Sequence, residues 1–266
     1  MLPNWIDKEK LMYRLLSANP NAMELLHDNV NKIYWLALSE NPNAMDLIRR
    51  NVDKIDWRKL SSNPNAIDML TQHKDKIDWS ELSSNPNAIH ILEEHLDKID
   101  WDMLSSNYNA IELLRNNEDK INWTHFTSNP NAGDMLKDHI DKLDWVWLSE
   151  KSTSMDLLSQ YPDKINWRYL SINPNAIGLL QQNREKIDWS FLSCNPLAIE
   201  MLKKNPKNID WDLLSLNENA IDLLKEAPNK INWVYLSSNP KAMDMLRDNQ
   251  DKIDWVWLSV NPSLFI

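Results

Sequence analysis

Hydrophobic and polar positions recur along the chain with a strict period of 22 residues. With a tryptophan taken as position 0, Leu or Phe stands at +3, Ala usually at +9, and aliphatic residues usually at +10, +12 and +13. Ser or Thr occupies +4, and Asn occupies +6 in every period except at Lys151. The two apolar groups have helical spacing and are separated by polar residues. The pattern therefore predicts two short amphipathic helices in each period.

Capping residues indicate where each helix begins and ends. The Asp or Asn before each tryptophan, such as Asp78, is a good N-cap for a first helix with the sequence Trp-x-x-Leu-Ser. Asn85 and Pro86 predict the start of a second helix of about nine residues, because proline at the first helical position leaves no N–H unsatisfied. This second helix is expected to end near +16 in a left-handed C-cap conformation at Asn29, Asn51, Asn117, Asn183, Asn205 and Asn249.

Helices this short need stacked neighbours for stability, so we predict an all-α fold, an α-solenoid of about twelve 22-residue αα-hairpin repeats. A continuous coiled coil of 11-residue repeats is excluded by the recurring proline. One helix per period, as in exchangeable apolipoproteins, is disfavoured by the two capped starts. We expect one repeat domain over 1–266. It would comprise a divergent leader or cap at 1–12, tandem repeats at 13–260 with an irregular unit at 145–166, and a truncated last repeat at 261–266.

The tryptophan ladder is expected to form the repeat core, with each indole closing the interface between two layers. A stacking platform for bases or sugars would instead need exposed rings beside a basic groove. The ladder consists of Trp35, Trp57, Trp79, Trp101, Trp123, Trp145, Trp167, Trp189, Trp211, Trp233 and Trp255.

Charge and composition exclude several function classes. The formal net charge is -10, from 39 acidic and 29 basic residues, which argues against nucleic acid or an anionic membrane as the main partner. Two glycines cannot build a phosphate-binding loop, and a single cysteine, Cys194, cannot form an intrachain disulfide. The sequence shows no signal peptide and no stretch of 18 apolar residues. We therefore expect an intracellular location, without secretion by a signal peptide of its own.

The other recurring polar residues are explained by structure rather than by chemistry. Lysine lies three residues before nearly every tryptophan from Lys10 to Lys252, with Asn208 as the exception, and flanking aspartates favour a salt-bridged edge over a phosphate track. The serines at +4 are expected to bond helix carbonyls, and the asparagines to cap turns and satisfy backbone between layers. His73 and His95 fall one layer apart, too far to share a metal. We expect no catalytic, metal or cofactor site and no small-molecule substrate.

Two departures from the repeat point to function. Position +2 carries both polar and apolar residues in the first six repeats (Leu15, Ala37, Lys59, Glu81, Met103 and His125) but only apolar and aromatic residues in the last six. Position +5 changes in the same way, which leaves two explanations open: burial of this face by curvature, or a surface for a partner or for self-association. The candidate partner surface comprises Trp147, Tyr169, Ile172, Phe191, Leu213, Leu216, Tyr235 and Trp257. The second departure is the segment 151–154, where Asn-Pro-Asn-Ala is replaced, which indicates either drift or a bend.

The consensus DKIDWxxLSxNPNAIxLL, carried by Trp57 to Leu70, Trp79 to Leu92 and Trp167 to Leu180, resembles short repeats of giant nucleocytoplasmic DNA viruses such as mimivirus and chlorovirus relatives. The resemblance implies a viral repeat protein, but it carries over no catalytic residue. We expect a non-enzymatic scaffold that presents an extended surface for protein–protein interaction. The alternative is a structural or assembly component, either in a virion or as a self-associating spacer. Nucleic-acid binding is the third class, and it would require a contiguous basic groove.

Overall fold

The computed structural model describes residues 2–151 and 154–265, and within these ranges the chain is helical with no β-strand. The predicted all-α fold, an α-solenoid of tandem helical hairpins, is confirmed. The chain divides into two compact units. The N-terminal unit comprises residues 13–144, and the C-terminal unit comprises residues 145–266 together with residues 1–12.

The N-terminal unit contains helices α1 to α11, in which the first helix of each repeat begins at Tyr13 or at a tryptophan. The helices are α1 Tyr13–Leu16, α2 Met23–Asp28, α3 Trp35–Glu40, α4 Met45–Arg50, α5 Trp57–Ser62, α6 Ile67–Gln72, α7 Trp79–Ser84, α8 Ile89–Glu93, α9 Trp101–Ser105, α10 Ile111–Arg115 and α11 Trp123–Thr127. Short 3₁₀ helices span Pro20–Ala22, Val30–Lys32, Pro42–Ala44, Lys74–Lys76, Leu96–Lys98, Glu118–Lys120 and Gly133–His139. The last of these replaces the second helix of its repeat.

The C-terminal unit repeats the same order of elements. Its helices are α12 Trp145–Lys151, α13 Met155–Gln160, α14 Trp167–Ile172, α15 Ile177–Gln182, α16 Trp189–Ser193, α17 Ile199–Lys204, α18 Trp211–Leu216, α19 Ile221–Glu226, α20 Trp233–Ser237, α21 Met243–Arg247 and α22 Trp255–Ser259. Its 3₁₀ helices span Lys8–Lys10, Pro162–Lys164, Pro174–Ala176, Arg184–Lys186, Pro206–Asn208, Pro228–Lys230, Gln250–Lys252 and Pro262–Phe265. Ser152 and Thr153, within the irregular unit, lie outside the described residues, so the bend there stays a prediction.

The first helices begin as the sequence predicts. The Asp78 carboxylate accepts a hydrogen bond from the Glu81 N–H at 3.0 Å, which is the bond expected of an N-cap. First helices of successive repeats contact one another, as α5 contacts α7 and α14 contacts α16. Their leucines at +3 are buried, and the buried alanines at +9 and aliphatic residues at +13 complete the interior of each layer.

The second helix begins at +10, three residues later than predicted. In the second repeat the Asn41 side-chain oxygen accepts a hydrogen bond from the Asn43 N–H at 3.0 Å, and Pro42–Ala44 forms a 3₁₀ turn rather than α-helix. This local bond holds the turn, and the α-helix starts only at Met45. Proline therefore begins the turn that leads into the helix, not the helix itself.

The predicted left-handed C-caps are wrong. Asn29 has φ −132° and Asn205 has φ −133°, and no described residue other than glycine has a positive φ. The Asn29 amide instead donates to the Leu25 carbonyl at 2.9 Å, and the Asn205 amide donates to the Met201 carbonyl at 2.8 Å. The side chain therefore satisfies a helix carbonyl that the backbone would otherwise leave free, without backbone strain.

Residues 2–12, the predicted leader or cap, pack within the C-terminal unit. Their 3₁₀ helix, Lys8–Lys10, corresponds to Gln250–Lys252 at the end of the eleventh repeat. Leu11 is 4% exposed, as Ile253 is 8% exposed at the equivalent position. The twelfth repeat, which begins at Trp255, thus combines residues from both ends of the sequence.

The serine hydroxyls at +4 join neighbouring repeats. Each accepts a hydrogen bond from the N–H that precedes the tryptophan of the next repeat, as Ser193 does from Asp210 at 3.0 Å. The same hydroxyl donates to the carbonyl of its own tryptophan, as Ser193 does to Trp189 at 2.8 Å. The predicted bond to a helix carbonyl is therefore confirmed, and the bond to the next repeat was not foreseen.

The asparagines at +6 form a second set of bonds between layers. The buried Asn195 amide donates to the carbonyls of Ser171 and Asn173 at 3.0 and 2.9 Å. Its side-chain oxygen accepts from the Leu197 N–H at 3.0 Å. Among the described residues, no buried side-chain nitrogen or oxygen lacks a hydrogen-bond partner. The prediction that these asparagines both cap turns and satisfy loop backbone between layers is confirmed.

Replacing a buried asparagine at +6 should lower the free energy of unfolding far more than replacing an exposed asparagine. Asn195→Ala removes two bonds to interlayer carbonyls and one to a turn N–H, so we expect a loss of about 2 kcal/mol in unfolding free energy. The matched control is Asn219→Ala, which removes two exposed bonds, one donated to the Pro196 carbonyl and one accepted from the Lys241 ammonium, and should cost under about 1 kcal/mol. Urea denaturation followed by far-UV circular dichroism measures both. Equal losses of unfolding free energy in the two variants would contradict the role assigned to the buried asparagines at +6.

Candidate partner-binding surface

The first helix of each repeat has a core side and an outer side. Positions 0, +3 and +4 lie on one side of the helix, while +1, +2 and +5 project from the other. In α16 the core residues Leu192 and Ser193 are fully buried, whereas Phe191 and Cys194 on the outer side are partly exposed. The candidate surface is the outer side of α12, α14, α16, α18, α20 and α22.

The N-cap of each first helix fixes the backbone at +2, where the aromatic residues stand. The Phe191 N–H donates to the Asp188 carboxylate at 3.1 Å, and the Trp257 N–H donates to the Asp254 carboxylate at 3.0 Å. Because the same cap recurs in successive repeats, the side chains at +2 leave the helices from equivalent backbone positions. Repetition of the cap therefore aligns the surface.

Neighbouring aromatic rings of the surface contact one another edge to face. The ring centroids of Tyr169 and Phe191 lie 5.7 Å apart at 82°, and those of Tyr235 and Trp257 lie 5.8 Å apart at 77°. The Arg168 guanidinium lies 4.4 Å from the Phe191 ring centroid, a cation–π arrangement. Such contacts between successive repeats limit the rotation of the rings, so the surface presents ordered side chains.

None of the eight predicted surface residues is buried within the C-terminal unit. Trp147 and Trp257 are 42% and 39% exposed, and the other six are partly exposed. The structure therefore does not support burial of this face, which was one of the two explanations left open. Exposed valines at +1, namely Val146, Val234 and Val256, widen the surface. The sequence analysis missed them, because the +1 positions between Val146 and Val234 are polar: Arg168, Ser190 and Asp212.

Equivalent positions in the N-terminal unit carry a polar network instead. Glu81, 8% exposed, accepts from Lys59 Nζ and from Arg58 Nε, both at 3.1 Å. The His125 ring nitrogen Nδ1 lies 2.9 Å from the Asp102 carbonyl oxygen. The same helix position is therefore filled by ion pairs and hydrogen bonds in one unit and by aromatic contacts in the other.

Charge follows the same division between the two units. The C-terminal unit has 17 acidic and 15 basic residues, whereas the N-terminal unit has 22 acidic and 14 basic residues. The unit that carries the aromatic surface is thus nearly neutral.

The indoles of the tryptophan ladder are partly exposed in all eleven repeats. The buried interior of each layer is formed by the smaller residues at +3, +9 and +13. The indoles also make ring contacts: the ring centroids of His73 and Trp57 lie 4.9 Å apart, and those of His95 and Trp79 lie 5.0 Å apart. That each indole closes the interface between two layers stays a prediction.

Most of the lysine row does not form the predicted salt-bridged edge. Eight of the lysine ammonium groups lie 4.5–5.4 Å from the ring centroids of tryptophans 19 residues earlier, for example Lys186 over Trp167 at 4.6 Å. Lys76 instead pairs with the flanking Asp75 at 3.6 Å, as predicted. A cation over an indole face gains electrostatic attraction while its own charge stays hydrated. At Asn208, the exception in the row, Trp189 instead lines a cleft of about 180 Å³ with Arg184 and Glu200.

The serines at +4, the most regular hydroxyls of the repeats, are buried and use both donor and acceptor capacity in structural hydrogen bonds. No group of three or more His, Cys, Asp or Glu in the described part of the chain is placed to hold a metal ion.

Comparison with known proteins finds no matching family model, no matching curated protein and no matching solved structure. Among the described helices, none is both long and apolar enough to cross a membrane.

The pKa of Cys194, on the candidate surface, gives a prediction about reactivity. Burial raises the pKa of this thiol to about 11, with the nearby Asp210 and Asp188 charges acting in the same direction, and the thiol donates to the Phe191 carbonyl at 3.1 Å. Because only the thiolate reacts, alkylation by iodoacetamide should be slow at pH 8 and should increase with a midpoint near pH 11. In the urea-unfolded chain the midpoint should return to about 9.0. The same midpoint in both states would contradict this assignment.

Proposed function

We propose that the chain is a non-enzymatic scaffold that binds a protein partner along the candidate surface of the C-terminal unit. The observation that carries the proposal is a row of apolar side chains, five of the six aromatic and none of them buried, at one helix position of six consecutive repeats. Two pairs of these rings, Tyr169 with Phe191 and Tyr235 with Trp257, are in contact. Aromatic residues are enriched in the centres of protein interfaces, and stacked repeats characteristically bind partners along extended surfaces.

The spacing of the repeats suggests the form of the partner. Packed helices lie roughly 8–10 Å apart, so apolar side chains recur at about that interval along the surface. An amphipathic helix with an apolar residue at every seventh position repeats about every 10 Å, which matches the interval. The partner proposed is therefore a helical segment that places its apolar side chains against the rings at +2.

The assignment as a scaffold is supported by how the polar residues are used. Repeated serines, asparagines and N-cap carboxylates are engaged in bonds that hold the layers, as at Ser193, Asn195 and Asp188. A catalytic group would be expected to depart from the repeat, and the departures at +2 and +5 are apolar. The resemblance to giant-virus repeats stays a prediction, and with it a viral origin.

Loss of the aromatic side chains should abolish partner binding without unfolding the chain. In affinity purification from lysate with quantitative mass spectrometry, Trp147→Ser, Tyr169→Ser and Tyr235→Ser should each reduce recovery of the partner at least about tenfold, since buried aromatic anchors contribute most to affinity. Tyr34→Ser and Tyr108→Ser are matched controls, because both remove an exposed ring of the N-terminal unit. They should leave recovery unchanged.

Binding at the surface itself needs a second measurement. With the purified partner, alkylation of Cys194 at high pH should slow when the complex forms, because this thiol adjoins Phe191 on the surface. Far-UV circular dichroism checks that each variant keeps its helical content. Equal recovery by surface and control variants, or Cys194 alkylation that is unchanged in the complex, would refute the proposal.

A further inference from the structure

The twelfth repeat is assembled from two segments that are distant in sequence. Helix α22, Trp255–Ser259, and the 3₁₀ helix Pro262–Phe265 supply its first half. The 3₁₀ helix Lys8–Lys10 and the two residues after it supply its closing half. We refer to residues 2–12 as the closing segment.

The closing segment contacts the twelfth repeat through the same hydrogen bond and the same cation–π pair that join the tenth, eleventh and twelfth repeats to their neighbours. The Met12 N–H donates to Ser259 Oγ at 2.9 Å, as the Asp254 N–H donates to Ser237 Oγ at 3.0 Å. The Lys10 ammonium lies 5.1 Å from the Trp255 ring centroid, and the ammonium of Lys252, at the equivalent position, lies 4.6 Å from that of Trp233. The segment therefore occupies the register of a regular repeat end.

Apolar burial adds to these polar contacts. Ile6 and Leu11 of the closing segment are buried, and so is Leu264 in the first half of the twelfth repeat. Pro3 and Trp5 line a cleft of about 340 Å³ together with Met243 of α21. The closing segment thus covers the first half of the twelfth repeat and part of the eleventh.

We propose that the chain self-associates by exchange of the closing segment, so that residues 2–12 of one copy complete the twelfth repeat of a second copy. No covalent bond specific to one chain forms part of this contact, and the contact is the same one that the unit uses between successive repeats. A contact exchanged between two copies would therefore have the same hydrogen bond from Met12, the same cation–π pair of Lys10 and the same burial of Leu11 as the contact within one chain.

Concentration decides between the two arrangements. The free energies of the contacts are equal, so the balance depends on how the protein concentration compares with the effective concentration of the segment at its own twelfth repeat. Effective concentrations of tethered segments reach the order of millimolar. Micromolar protein should therefore keep the intrachain contact, whereas protein on the order of millimolar should exchange. The proposal uses a different surface from the proposed partner site and does not depend on it.

The first test is the concentration dependence of refolding. The full-length chain is unfolded in urea, refolded at about 1 μM and at about 0.5 mM, and analysed by size-exclusion chromatography with light scattering. We expect monomer at the low concentration and dimer or higher oligomers at the high one. Leu11→Asp, which places a charge in the buried contact, should remove the oligomers, and so should the milder pair Lys10→Ala with Leu11→Ala.

A matched pair separates this interface from the candidate partner surface. Trp147→Ser with Tyr235→Ser leaves the closing segment intact and should oligomerise as the unaltered chain does. Oligomers that survive the Leu11 variants but disappear with the surface pair would overturn the proposal and assign self-association to the aromatic surface. Absence of oligomers at 0.5 mM would overturn it as well.

The second test identifies which chain supplies the segment. A benzophenone amino acid in place of Trp5 should crosslink to Met243, since both residues line one cleft. Equal amounts of ¹⁴N- and ¹⁵N-labelled chain are refolded together and irradiated. The oligomer fraction should contain crosslinked peptides of mixed isotope and the monomer fraction only peptides of one isotope. Absence of mixed-isotope crosslinks from the oligomer would show that the segment stays on its own chain and would refute exchange.

Discussion

The hydrogen bond from the N–H before each tryptophan to the serine or threonine hydroxyl of the preceding repeat is the contact on which the architecture depends. Helices of four to seven residues are not stable alone in water, so the stacking of layers must supply their stability. Six such bonds lie within each unit, with N–O distances from 2.9 to 3.2 Å. They lie beside the hydrogen bonds of the buried asparagine amides. We call these two sets of interlayer hydrogen bonds the polar seam; together they fix the spacing and the register of the helices.

A fixed register turns a single helix position into a continuous surface. Because each N-cap holds the backbone at +2, the identity of that residue decides what the stack displays. In the N-terminal unit Lys59 and Glu81 form an ion pair between adjacent layers, so the two charges neutralise each other within the unit. In the C-terminal unit Tyr169 and Phe191 pair in the same way but leave ring surface exposed. The scaffold is therefore separable from the function that it is proposed to carry.

Sequence reasoning recovered the features that are set within a few residues. The N-cap at Asp78 and the serine bond to its own helix follow from local spacing, and the change at +2 was visible as a break in the repeat. Sequence reasoning failed where the contact partner of a residue is distant in the sequence, and where a side chain rather than the backbone satisfies a helix carbonyl. Asn29 reaches back to a carbonyl instead of twisting the chain, Lys186 prefers an indole 19 residues away to the adjacent acids, and residues 1–12 find their repeat at the other end of the sequence.

Amide hydrogen exchange of the N–H groups before the tryptophans tests this account most directly. Asp188, Asp210 and Asp254 precede helices only five or six residues long, yet their amides should be strongly protected because each donates to a buried serine. The Met12 amide, outside any helix, should show comparable protection through Ser259. Exchange of the three aspartate amides at the rate of an unstructured peptide, or of Met12 at that rate while they stay protected, would contradict a seam that runs from the repeats into the closing segment.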